Sequence, residues 1–104
     1  MITSTTDIVP GREITEVMGL VMGNTVRSKN VGKDIGAGLK SIVGGELKSY
    51  TAMLTEARQE AVTRMVEAAT SLGADAVINM RFTTSAITEG AAELLAYGTA
   101  VKLS

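Results

Sequence analysis

The apolar positions of the chain change period several times, and each change marks an element. Over residues 46–72, Leu47, Tyr50, Leu54, Ala57, Ala61, Met65, Ala68 and Leu72 recur at steps of three or four, which predicts one long amphipathic helix with a single apolar stripe. The opposite face holds Lys48, Glu56, Arg58, Gln59, Glu60, Arg64 and Glu67, with Glu60 and Arg64 in the favourable i,i+4 order for an ion pair. Gly73 falls where a helix-ending glycine belongs. Over residues 75–88 the period drops to two. Ala76, Ile78, Met80, Phe82 and Ala86 fall on one face and Asn79, Arg81, Thr83 and Ser85 on the other. That alternation predicts a half-buried strand with one polar face, the helix packing on its Ile78 side. Residues 93–103 alternate more loosely, and Glu89-Gly90 between the two runs reads as the turn of an antiparallel hairpin.

The N-terminal half is less regular. Residues 2–6 are β-branched and predict a short strand, followed by a Val9-Pro10-Gly11 turn. Residues 13–26 alternate as a strand, with Ile14, Glu16, Met18, Leu20 and Met22 on one side and Thr15, Val17, Gly19, Val21 and Gly23 on the other. Both faces are mostly apolar, which predicts cover on both. Gly19 and Gly23 predict a close neighbour on theirs. In the Gly-rich stretch that follows, Ile35, Leu39, Ile42 and Val43 have helical spacing, which predicts a short helix over residues 32–42 ended by Gly44-Gly45. The fold class expected is α+β: an antiparallel sheet packed by one long and one short helix, in a single domain over residues 1–104.

Composition removes several chemistries. The chain has 104 residues, 45% hydrophobic and 20% charged, with net charge −1. It is too apolar for a disordered tail and has no basic excess for nucleic acid or an anionic membrane. Arg27, Lys29, Lys33, Lys40 and Lys48 have no aromatic residue among them, so they read as a solvated surface rather than a nucleic-acid groove. With no Cys and no His there is no thiolate or imidazole ligand, no Cys nucleophile and no His base. Only Tyr50, Phe82 and Tyr97 are aromatic. A core of small side chains gains little at roughly 25 cal/mol per Å², which points to oligomerisation as a further source of burial. The N-terminus has no signal-peptide pattern and no run approaches the roughly 20 apolar residues of a membrane span, so a cytoplasmic location is expected.

Candidate chemistry is sparse. Gly36-Ala37-Gly38 between Lys33 and Lys40 resembles a phosphate cradle, but the dinucleotide pattern fails at Ser41, and tight packing is the favoured reading. Glu56 and Glu60 share a helix face without the Asp/Asn-rich loop of a hard-cation site. Met18 and Met22 offer two thioethers on one strand face, a Cu(I) pattern that is more often plain packing. The polar strand face of Asn79, Arg81, Thr83 and Ser85 suits a ligand cleft, a subunit interface or water.

Several linked blocks resemble the YbjQ-like family. They are Gly38-Leu39-Lys40-Ser41-Ile42-Val43-Gly44-Gly45-Glu46-Leu47; the helix with Tyr50, Glu56, Ala57, Arg58, Ala61 and Met65; Leu72-Gly73-Ala74-Asp75-Ala76-Val77 with Asn79, Arg81 and Phe82; and Ala96-Tyr97-Gly98-Thr99-Ala100-Val101. Thr3-Ser4-Thr5, Pro10-Gly11 and Gly19-Leu20-Val21 fit as well. The resemblance implies a dodecin-like subunit assembled as a homopentameric ring. It also brings a heavy-metal-binding label without an established biochemical role. That label sits poorly with a chain lacking Cys and His, because Met alone is a poor ligand set for Zn²⁺.

Two functions are therefore expected. The first is a non-enzymatic homo-oligomer, its partner being itself. It would bind a divalent metal or small ligand at its pore or subunit interfaces, with Asn79, Arg81, Thr83 and Glu93 as ligand or interface candidates. The alternative is a small-molecule enzyme with Glu93, Glu89 and Arg81 at a subunit cleft. The missing nucleophile–base pair favours the first.

Overall fold

A computed structural model describes residues 1–28, 45–88 and 90–104, with helix side chains from Ser49 onward. Among these residues four strands and one helix follow in the order β1 (Ile2–Thr3), β2 (Ile14–Ser28), α1 (Gly45–Leu72), β3 (Ala76–Thr88) and β4 (Ala91–Leu103). The strands form one sheet in the order β1-β3-β4-β2. β4 is antiparallel to both β2 and β3. β2 and β3 therefore run the same way, joined through α1 with β4 between them, a split β-α-β arrangement. The predicted short helix over residues 32–42, the Gly36-Ala37-Gly38 cradle and Glu89 lie outside the described residues.

The sheet is mixed, which corrects the expectation of an antiparallel one. β1 pairs parallel to β3 through Ile2 opposite Ala76 and Thr3 opposite Val77. Its direction is fixed by the residues just after it. Ser4 N–H donates to Val77 O, Met80 N–H to Ser4 O and Asn79 N–H to Thr6 O. These bonds pair main-chain groups that would otherwise be left without partners on an edge. The Pro-Gly turn forms as expected, with Arg12 N–H donating 3.0 Å to Val9 O and Gly11 at φ 84°.

The helix forms because its stripe of small apolar residues has a sheet to lie on. Ala57, Ala61, Met65 and Ala69 are fully buried, the last three against Val21, Val77, Met80, Ala96 and Ala100. Gly23 sets the distance. A Cβ there would stand 2.3 Å from both Ala61 O and Met65 N, so only a residue without a side chain admits the helix backbone. The C-terminus closes with Gly73 N–H on Thr70 O and Ala74 N–H on Ala69 O, the paired bonds of a Schellman cap with Gly73 at φ 85°.

Bulges change which side chains share a face. In β3 the register passes from Ile78 opposite Thr99 to Arg81 opposite Tyr97. The extra residue is accommodated at Asn79, at φ 51°, in the left-handed region that Asn tolerates. Val77 and Met80 consequently face the helix. Ala76 and Ile78 face the other way, with Val9, Val101 and Leu103. This corrects the expectation that Ile78 and Met80 share a face and that the helix packs on Ile78. β2 shifts register twice, between Ile14 and Glu16 and between Val17 and Gly19. Gly19 sits at φ 117°, and a Cβ added there would meet no atom within 4 Å, so its reason is backbone conformation, not the close neighbour expected. The shift also parts the two thioethers. Met18 packs on the helix-side cluster while Met22 is exposed.

Among the described residues β2 is covered on one face only, against the expectation of two. On the side away from α1, Val17, Leu20, Met22 and Val26 are 65%, 63%, 51% and 53% exposed.

Candidate functional site

The face of the sheet away from the helix carries most of the residues singled out from sequence. Cross-strand register arranges it in rows: Leu20–Thr99–Ile78, Met22–Tyr97–Arg81, Asn24–Leu95–Thr83 and Val26–Glu93–Ser85. Arg81, Thr83 and Glu93 thus share one surface. Asn79 sits in the bulge, off the regular row. Arg81 and Glu93 are held by what neighbouring segments bring beside them. Arg81 Nη1 donates 2.8 Å to Thr5 O and 2.9 Å to Met80 O, which ties the N-terminal segment to β3. Asn24 Nδ2 donates 3.1 Å to Glu93 Oε2 from the neighbouring strand. Arg81 and Glu93 lie two rows apart on each side of Thr83's row, a separation of about 13 Å along the strand direction. They do not converge as an acid–base pair. The surface is apolar along β2 and polar along β3.

The helix side holds a second charged group. Arg27 follows Val21, Gly23 and Thr25 in the phase that points to α1. Its guanidinium donates to Glu60, which also accepts from Arg64. Arg64 in turn donates 2.6 Å to Asn24 O, and Thr25 Oγ1 donates 3.2 Å to Ala57 O. The hydrogen bond from Arg27, reinforced by the charges of Arg27 and Arg64, holds the Glu60 carboxyl below its ordinary value of 4.5. Sequence reading found the Glu60–Arg64 pair but placed Arg27 in a solvated stretch. The signal was its period-two alignment with Thr25. Asn24 as the partner of Glu93 had no signal of its own, because register across strands is not written in either strand alone.

The donor set does not fit a soft heavy-metal ion. The chain has no Cys and no His, Met18 and Met22 face opposite ways, and the described residues contain no cluster of three or more carboxylates. Thiolate and imidazole are the groups such ions select. Among the described residues no helix is long and apolar enough to cross a membrane.

Known proteins of the same kind are close in sequence. A UPF0145 protein of Vibrio campbellii is 63% identical over 99% of this chain and 99% of its own length. One of Archaeoglobus fulgidus is 64% identical, covering 99% of this chain and 95% of that protein. One of Methanoculleus marisnigri is 67% identical over 99% and 96%. A crystal structure of a protein of unknown function from Pediococcus pentosaceus, described as a member of the DUF74 family, superposes with a TM-score of 0.69 at 18% identity, covering 100% of this chain and 98% of that one. At that identity the match speaks for the fold alone, an α+β subunit of this shape. The YbjQ family model, described as "putative heavy-metal-binding", matches residues 1–104, and the chain belongs to that family.

Proposed function

We propose that the chain is a non-enzymatic subunit of a cytoplasmic homo-oligomeric ring of five copies, which meet through the uncovered side of the sheet. The observation that carries this reading is the exposure of Val17, Leu20, Met22 and Val26, each more than half accessible on one strand. Contiguous apolar surface of this kind marks an interaction site in soluble proteins. The subunit's shape supports it. The chain extends 54 × 22 × 16 Å with a radius of gyration of 17.2 Å, against about 13 Å for a compact domain of this length. Its accessible surface is 6342 Å², where a compact monomer of this mass exposes about 5,500 Å².

The sheet also has two open margins. Among the described residues β2 is paired on one side only, and β1 covers only Ala76 and Val77 of β3, so β3 from Arg81 onward has no outer strand among them. Two different margins suit a head-to-tail contact repeated around a rotation axis. Such repetition would bring Arg81, Thr83, Glu93 and the bulge residue Asn79 together in multiple copies, as a site for a hard ion or a small polar ligand.

Light scattering tests the reading. The wild-type chain should run as a multiple of its 10.8 kDa subunit mass, five being expected. Leu20→Lys and Met22→Lys should dissociate it while circular dichroism shows a folded subunit. A folded wild-type particle of one subunit mass at micromolar concentration overturns the reading.

A further inference from the structure

The helix does not sit centrally on its sheet. α1 lies over β2 and β4 and barely touches β3. The far half of β3 is therefore bare on both faces, and every residue from Arg81 to Thr88 is exposed. Phe82, 44% accessible, stands in an open cleft of about 290 Å³ against Thr55, Arg58, Gln59 and Val62 of α1. Charge, proline and bulges are the devices that keep free strand edges from pairing. Between Phe82 and Ala86 the border has no charge, no proline and no break in register.

The opposite border of the same chain offers a match. β2 runs in the same direction as β3, since both are antiparallel to β4. A second copy displaced sideways in the sheet layer would set its β2 parallel to β3. It would also bring the β2 flank of its own helix to the Phe82 cleft. The charges of the two flanks are complementary among the described residues. Toward β2, Glu56 and Glu60 balance Arg64 and the Arg27 of β2. Glu67 lies two turns beyond Glu60 on the same face and leaves that flank one negative charge in surplus. Toward β3 the charged side chain of the helix is Arg58, which is exposed. The area agrees with a partner of this kind. The accessible surface of 6342 Å² exceeds the roughly 5,500 Å² of a compact monomer by about 800 Å², one partner's share of a standard interface.

We propose that the β3 border over Phe82–Ala86 is the acceptor for β2 of a second copy, paired in parallel, with the acidic helix flank of that copy seated against Phe82 and Arg58. The inference rests on the reading of the chain as a self-assembling subunit and adds which border meets which. The two surfaces differ, so each copy gives one and receives the other.

The chain has no cysteine, so introduced thiols report contacts without background. Thr83→Cys and Met22→Cys occupy exposed positions, one on each border strand. The two variants, unfolded together and refolded, should be joined into a covalent dimer by a bifunctional maleimide of about 10 Å reach, enough for one strand spacing and a shift of two residues. Neither variant alone should link. At low salt Arg58→Glu should weaken association about threefold or more, and Glu67→Lys in the same chain should restore it. On the unsubstituted chain, amides within Phe82–Ala86 should exchange hydrogen more slowly in the assembled particle than in the diluted subunit. Self-linking by Thr83→Cys alone marks two β3 borders paired with each other and overturns the proposal. So does a wild-type multimer whose mixed variants fail to link, whose Phe82–Ala86 amides exchange freely, or whose association ignores Arg58→Glu, and in each case the oligomer itself stands. A wild-type particle of one subunit mass removes both.

Discussion

Arg64 of α1 donates a 2.6 Å hydrogen bond to the backbone carbonyl of Asn24 on β2. The contact falls one residue from Gly23, where an added Cβ would stand 2.3 Å from the helix backbone. Arg64 also reaches Glu60, and Glu60 reaches Arg27. The helix is therefore held to its strand by packing on one side and a chain of charge-assisted bonds on the other, and the two can be separated by mutation.

Gly23→Ala tests the packing half. Its Cβ would meet main-chain atoms of Ala61 and Met65, which cannot turn aside as a flexible side chain would. A loss of about 3 kcal/mol is expected, since overpacking against backbone lies at the upper end of such costs. Gly19→Ala should cost about 1–2 kcal/mol, from backbone strain at positive φ rather than from a clash. Urea denaturation of the two variants should rank them in that order.

Glu60→Gln tests the ionic half. The Glu60 carboxyl is held below 4.5 by its bond from Arg27 and by both guanidinium charges. A depressed folded-state pKa contributes stability that is complete above the unfolded value and is lost as pH falls through the folded one. The wild-type advantage over Glu60→Gln should be full near neutrality and should shrink below the ordinary carboxylate value. Denaturation midpoints at about pH 7 and about pH 3 should differ more at the higher pH.

Arg81 and Arg58 should respond differently to truncation. Arg58 is exposed and among the described residues bonds only to Thr55 on its own helix, at 3.3 Å, so Arg58→Ala should change stability by less than about 0.5 kcal/mol. Arg81→Ala leaves Thr5 O without its side-chain donor and should cost about 1 kcal/mol. It should also shift particle mass or ligand binding, because Arg81 lies on the proposed contact surface. Light scattering beside thermal unfolding separates the two effects, and equal, negligible changes would count against a role for that surface.

Soft metals should bind weakly. Calorimetry with Zn²⁺ and Cd²⁺ on untagged protein should show no stoichiometric submicromolar site, because the chain offers neither thiolate nor imidazole. A tight, stoichiometric isotherm would show that carboxylates and thioethers assemble a site across subunits.

Much of the architecture was legible from periodicity. The helix stripe from Ala57 to Met65, the Schellman glycine Gly73, the Pro10-Gly11 turn and the β3–β4 pairing follow from local rules that act over a few residues, whereas the stripe's last members miss: Ala69 is fully buried and Leu72 is exposed. Errors arose where one residue inserted into a strand reverses everything after it. The side chains of β3 read as one alternation, yet Asn79 takes a left-handed conformation, and Ile78 and Met80 part company. Nothing in a single strand announces such an insertion, because its cause lies in partners: the Thr6 carbonyl that Asn79 N–H meets and the register of β4. The same blindness hid the Asn24–Glu93 bond. Of the candidate residues, Arg81, Thr83 and Glu93 share a surface as their polarity suggested, while Asn79 does not lie on it.

The strand order β1-β3-β4-β2 leaves unlike borders at its two ends, one along β2 and one along the far half of β3. Strand addition across unlike borders has no internal stop: each new copy presents the same unfilled border as the last. Growth ends only when accumulated twist returns the final copy to the first. In the proposed ring, a substitution that alters that twist by a few degrees per copy, leaving every subunit folded, would yield an unending filament in place of a closed particle.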